Sequence, residues 1–235
     1  MRMKLQLLLA CVPLFASLPA FAAGVEPDAT VARDGSGEYT SIQTAIMKAP
    51  YSSAERPWVI RVKPGTYKER IYVQRERGWL RLVGDDPETT IVTHEVHANM
   101  IGNDGEKIGT FRTPTVQIDG TGFEIRNMTL ANAAGPVGQA LALRVDGDKV
   151  VFRNCRFLGW QDTILLNRGR QYFESCYIEG QVDFIFGGAT AFFEDCHIHC
   201  LQKGYITAAS TPADQPYGFV FKDCRITGEP GTLTY

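Results

Sequence analysis

The sequence predicts an all-β solenoid: a single-stranded, right-handed parallel β-helix with a short helix plugging its N-terminal end. Three observations predict it. A six-residue phrase recurs as Ile125-Arg-Asn-Met-Thr-Leu130, Phe152-Arg-Asn-Cys-Arg-Phe157, Phe173-Glu-Ser-Cys-Tyr-Ile178, Phe193-Glu-Asp-Cys-His-Ile198 and Phe221-Lys-Asp-Cys-Arg-Ile226. Its Cys/Met positions lie 27, 21, 20 and 28 residues apart, a period at which each copy buries an apolar face only against its neighbours. Glycines return four residues after the reference as Gly159, Gly180 and Gly228, marking the next turn of each coil. A β-sandwich would not stack like residues at one period, and the crossover preference makes the solenoid right-handed.

Each element has its own signal. Ser41 followed by Ile42, Ala45, Ile46 and Ala49 is an N-cap with an amphipathic helix, suited to covering an open sheet end. Val59-Ile-Arg-Val62 and Arg70-Ile-Tyr-Val73 read as strands around a turn at Pro64-Gly65, and Leu80-Arg-Leu-Val83 and Thr90-Ile-Val92 continue the pattern. Inside the phrase, two polar residues separate the first apolar position from the Cys/Met, and strict alternation would drive one of them inward. Asn, Ser and Asp suit a bend, so a corner between two sheets is expected there.

Length and composition set the frame. The chain has 235 residues, 44% apolar and 21% charged, which suits one continuous core. Arg2 and Lys4, the apolar run from Leu5 to Phe15 and Ala20-Phe-Ala22 have the layout of a secretory signal peptide over residues 1–22, too short to span a membrane. A secreted or periplasmic protein is therefore expected. A lipid-anchored form through Leu8-Leu-Ala-Cys11 is disfavoured because Cys11 lies inside the apolar run. No basic block remains, so nucleic acid is not an expected partner. Cys155, Cys176, Cys196, Cys200 and Cys224 are an odd set of five. Stacked small apolar residues explain most of them, with Cys176–Cys196 the preferred bridge because the coils joining them are shortest.

Chemistry enters with Asp162 and Asp183, each seven residues past its Cys, which register places one above the other. Turn-making explains an Asp beside Gly, but Asp183 lies among Val182, Phe184, Ile185 and Phe186, where an unpaired carboxylate is costly. Stacked carboxylates titrate apart, giving one acid and one nucleophile or base. A retaining glycosidase would use the same spacing. Gln161 beside Asp162, and Gln139 one coil earlier, add amide donors suited to an oxyanion.

Gly138-Gln-Ala140, Gly159-Trp-Gln-Asp-Thr163, Arg170-Gln-Tyr172 and Gly180-Gln-Val-Asp-Phe-Ile-Phe-Gly-Gly-Ala189 resemble the signature segments of the pectin methylesterase (pectinesterase) family. Asp34-Gly-Ser-Gly37, Gly65-Thr-Tyr67 and Tyr205-Ile-Thr-Ala208 resemble further segments, so the likeness runs from Val31 to Tyr235. The resemblance implies a right-handed β-helix over residues 23–235, acting as a monomer without metal or cofactor on methyl-esterified polygalacturonate (pectin). It implies Asp183 as nucleophile, Asp162 as general acid/base, Gln161 and Gln139 as oxyanion donors, and Val182 and Phe186 beside the sugar. Trp160, Tyr172 and Phe186 have aromatic faces that suit a sugar groove. Family members also carry an arginine in a Leu-Gly-Arg-Pro-Trp segment, which this sequence lacks. The expectation is a C-terminally truncated chain, weakly active or inactive in this form.

Three function classes follow: an esterase, a β-helix polysaccharide hydrolase or lyase, and a non-catalytic glycan-binding solenoid. Zinc at His94-Glu-Val-His97 or His197-Ile-His199-Cys200 is disfavoured for want of helical spacing or a fourth ligand. Strict stacking would put Lys203 above Asp183, although solvation is the commoner fate of a lysine.

Overall fold

The computed structural model describes residues 26–232; the predicted signal peptide lies outside the described residues. Among these residues the strands form three parallel sheets, and the chain folds as a right-handed parallel β-helix. One coil shows the path. Val150–Arg153 belongs to the first sheet, Arg156–Leu158 to the second and Ile164–Leu166 to the third, after which Arg170–Glu174 returns to the first sheet one level on. Pairing is in register through the stack: Phe152 sits against Ile125 and Phe173, and Phe157 against Leu130 and Ile178.

The expected corner between the first and second sheets is present, and it is a ladder of left-handed residues. Asn127, Asn154, Ser175, Asp195 and Asp223 have φ of 52°, 49°, 52°, 53° and 54°. Asn and Asp tolerate this conformation better than most side chains. Their side chains add bonds between coils, Asn154 Nδ2 donating to Asn127 at 2.9 Å and Ser175 Oγ to Asp195 at 3.3 Å. The bend turns the next residue inward, which is why Met128, Cys155, Cys176 and Cys196 are all buried.

The interior is a set of side-chain ladders. Phe152, Phe173, Phe193 and Phe221 stack with ring centroids 4.7, 4.6 and 4.6 Å apart, and Phe157 meets Phe152 edge-on at 5.3 Å. Coil spacing of about 4.8 Å matches the offset-stacking distance of aromatic rings. Phe173 has rings on both neighbouring coils, so no single neighbour can fill its place. Phe173→Ala is expected to cost about 3–5 kcal/mol of unfolding free energy, read from the midpoint and slope of urea unfolding; a loss under about 1 kcal/mol would mean that the ladder relaxes into the gap.

The helix Ile42–Lys48 closes the N-terminal end and buries Ile42, Ala45 and Ile46. Ser41 caps it by accepting from Thr44 N–H, and the Glu69 carboxylate takes Ser41 Oγ–H and the N–H groups of Ile42 and Gln43. Pro64-Gly65 is not a simple turn. Gly65–Lys68 is a strand of the second sheet paired with Thr90–His94, an assignment decided by a partner 25 residues away in sequence, Gly65 pairing with Thr90.

The Cys176–Cys196 bridge is not formed, and the five described cysteines form no disulfide with one another. In-register stacking explains this, because the side chains leave the backbone in the same direction instead of facing one another. The thiols of Cys155, Cys176, Cys196 and Cys224 instead lie against carbonyls of the coil before: Cys176 Sγ donates to Phe152 O and Cys196 Sγ to Phe173 O, both at 3.6 Å.

Candidate active site

Both aspartates enter the third sheet from the turn that follows the second. Ile164 pairs with Ile185, and two residues earlier Asp162 N–H donates to Val182 O at 3.1 Å. That bond puts Asp162 and Asp183 at equivalent positions of adjacent coils. Both have left-handed backbones, with φ of 63° and 52°, a conformation that costs energy for a side chain and gathers at functional positions. Gly159 and Gly180 make room for the turn: a Cβ on Gly180 would lie 2.2 Å from Phe184 Cβ, and one on Gly159 would lie 2.7 Å from Thr163 Oγ1. Thr163 Oγ1 ties the turn down through Glu179 O at 3.0 Å.

Electrostatics separates the two acids. Asp162 is 8% exposed. Burial first, and the Asp183 charge second, push its carboxyl up to about 7, with no hydrogen bond or cation among the described residues acting the other way. Asp183 is half-buried and open enough to meet a ligand.

The glutamines are brought to the same place. Gln139 and Gln161 form a parallel bridge on adjacent coils, and Ala140 N–H donates to Gln161 O at 3.1 Å. Both are half-buried, and among the described residues their side-chain amides have no hydrogen-bond partner. Val182 and Trp160 are half-buried on the same turns, Trp160 O accepting from Gln181 N–H at 2.9 Å. Phe186 faces outward on the third sheet, in register with Leu165 and Ala208.

Lys203 does not stand in register with Asp183. The turn after His197–Cys200 is longer than those of the two coils before it, and Asp183 N–H donates instead to Tyr205 O at 2.8 Å. Tyr205 is 58% exposed beside Asp183. Arg144 was also passed over by the sequence reading. It continues the outer row Leu165–Phe186 by one coil, braced by Asp146 at 2.6 Å and by Phe111 O at 3.1 Å. A spacing of 21 residues from Leu165 was the available signal. His197 Nε2 and His199 Nδ1 both share Thr227 Oγ1, at 2.7 and 2.8 Å, on the second sheet and away from the aspartates.

Two stacked carboxylates, one of them raised to about 7 beside uncommitted amides, are an arrangement suited to carboxylate-pair hydrolysis. Comparison with known proteins narrows this class. Residues 28–234 match the Pectinesterase family model, and the chain belongs to that family. It is 44% identical over 209 residues to Pectinesterase 31 of Arabidopsis thaliana, across 84% of this chain and 64% of the relative. It is similar to pectin methylesterase from carrot (TM-score 0.83, 36% identity, 91% of this chain and 69% of that one). It is also similar to pectin methylesterase PemA from Erwinia chrysanthemi (TM-score 0.81, 30% identity, 88% and 68%). The chain thus spans just under two thirds of the length of the Arabidopsis relative.

Proposed function

We propose that the protein hydrolyses methyl esters of pectin, releasing methanol and leaving a carboxylate on each galacturonate. The observation that carries this is the in-register pair, with Asp162 held protonated up to about pH 7 and Asp183 beside it. Asp183 attacks the ester carbonyl carbon as a carboxylate. The oxygen of the tetrahedral intermediate takes up negative charge, and the amides of Gln139 and Gln161 donate to it. Asp162 gives its proton to the departing methoxide, forming methanol and an acyl-enzyme anhydride. Asp162, now ionised, takes a proton from water; the hydroxide adds to the acyl carbon and Asp183 leaves as a carboxylate.

Trp160, Val182 and Phe186 form the apolar side of the site, suited to a sugar ring and an ester methyl group. The family and a homologue solved as a pectin methylesterase in complex with a hexasaccharide support this substrate. The leader-like pattern of residues 1–22 supports action outside the cytoplasm, and no described helix is long and apolar enough to cross a membrane.

The test is a paired assay on methyl-esterified polygalacturonate for methanol and for new reducing ends. Methanol without chain ends is expected. Chain ends without methanol would make the protein a polysaccharide hydrolase or lyase, and neither product would leave a glycan-binding solenoid.

A further inference from the structure

A trough runs down the solenoid at the opposite edge of the third sheet from the aspartates. One groove of about 440 Å3 is lined by Asn167, Arg168, Arg170, Thr190, Gln215 and Tyr217, with Asp148, Pro212 and Pro216 among its other walls. A second, of about 300 Å3, adjoins it through the shared residues Asp148 and Arg168 and extends to Arg75, Asp119 and Thr121. Each volume suits a small-molecule or oligosaccharide site. These residues follow six successive strands of one sheet, from Ile71–Val73 to Thr207–Ala209. At a coil spacing of about 4.8 Å the trough spans roughly 24 Å along the axis. The aspartates precede the same strands, so only a three-residue strand such as Ile164–Leu166, roughly 10 Å long, separates the two features.

Once the internal ion pairs are removed, the trough keeps two cations, Arg75 and Arg168, against the single carboxylate of Asp119. Asp148 is taken up by Arg170, which donates to both carboxylate oxygens at 2.9 and 2.6 Å. Asp146 is nearly buried and bonded to Arg144 and Asn167, and Asp119 accepts from Tyr72 and Gln117. Arg168 touches Asp146 only through Nε, at 3.5 Å to the carboxylate and 3.3 Å to the carbonyl. Its terminal nitrogens have no hydrogen bond among the described residues, and the exposed Arg75 side chain forms neither an ion pair nor a hydrogen bond among them. Two cations with forked donors therefore face outward along the trough, and Tyr217, 66% exposed next to Pro216 in its lining, offers an aromatic face. Guanidinium forks match carboxylates, and an exposed aromatic ring suits a pyranose face.

We infer that this trough is a second glycan site, which holds a de-esterified stretch of acidic polysaccharide while a methylated stretch occupies the aspartate site. The inference rests on the pectin methylesterase reading, because it makes the trough's ligand the product of that reaction. Anchoring one stretch of a polymer raises the local concentration of its neighbours at the other site. The enzyme would thereby favour pectin that already carries free carboxylates.

The test is calorimetric titration of the full chain with fully de-esterified oligogalacturonate, which holds no ester to turn over. The double variant Arg75→Ser/Arg168→Ser is expected to weaken binding about tenfold, the loss of hydrogen bonds to a charged group. Tyr217→Ala is expected to weaken it several-fold, and added salt should weaken the parent more than the double variant. All three positions are exposed, so thermal unfolding should stay at the parent value. Equal affinity in parent and variants, equal binding of a neutral oligosaccharide, or tighter binding of a sulfated or phosphorylated polyanion would each overturn the proposal. If the parent releases no methanol while arginine-dependent binding persists, the reaction reading falls and the trough stands. If methanol is released and affinity is unchanged in the variants, the trough falls alone.

Discussion

Asp183→Asn is expected to reduce methanol release by a factor on the order of 10⁴ or more, the scale on which a covalent mechanism loses its nucleophile. The exchange keeps the shape of the side chain and removes only its nucleophilic charge, so folding should be unaffected. It also has a second signature. The Asp183 charge is one of the two forces raising the carboxyl of Asp162, so that carboxyl should titrate lower in the variant than in the parent, readable by NMR of a labelled aspartate. A lowered Asp162 with activity intact would keep the electrostatics and remove Asp183 from the chemistry. Activity within tenfold of the parent would end the nucleophile assignment.

Asp162→Asn should trade activity for stability. The folded-state carboxyl titrates at about 7 against a reference of 3.8, so the folded state binds more protons than the unfolded one between those values. Stability contributed at this position is therefore full below about pH 4 and declines as pH rises through 7. About three pH units at 1.36 kcal/mol each set a ceiling of about 4 kcal/mol on that loss. The neutral amide cannot ionise, so the variant should be more stable than the parent by on the order of 2–4 kcal/mol at pH 8, and the two should converge near pH 4. Thermal unfolding across that range reads both limits. The parent's methanol release should fall as pH rises through about 7, because the leaving group needs the proton that Asp162 then no longer holds. A variant no more stable than the parent at pH 8 would show that Asp162 ionises without cost and is not the acid.

At Asp162, activity and stability are thus expected to move in opposite directions, which is the usual mark of a functional position. A structural aspartate in a turn would normally be hydrogen-bonded and would lose stability on replacement. Asp162 has a left-handed backbone, low exposure and no cation beside it among the described residues, a combination that packing alone does not reward.

Much of this was legible without coordinates because a solenoid turns sequence distance into spatial height. The Asn, Ser and Asp before each Cys announced the corner, since few other side chains accept a left-handed bend. The 21-residue offset between Asp162 and Asp183 equals that between Ile164 and Ile185, so a regular coil made the two acids neighbours. Legibility failed wherever the coil was irregular. The longer turn after Cys200 put Tyr205, not Lys203, against Asp183. Gly65–Lys68 became a strand through a partner that local pattern does not contain.

By itself the sequence determined the period, the corner residues, the inward ladder and the shared register of Asp162 and Asp183, because these depend on side-chain chemistry repeated at a constant interval. Tertiary structure alone decided the thiol state of the cysteine ladder, the burial that lifts Asp162, the outer row through Arg144 and the trough past the strand ends. Each of those depends on the directions in which side chains leave neighbouring coils and on how much water reaches them, and neither quantity is carried by spacing along the chain.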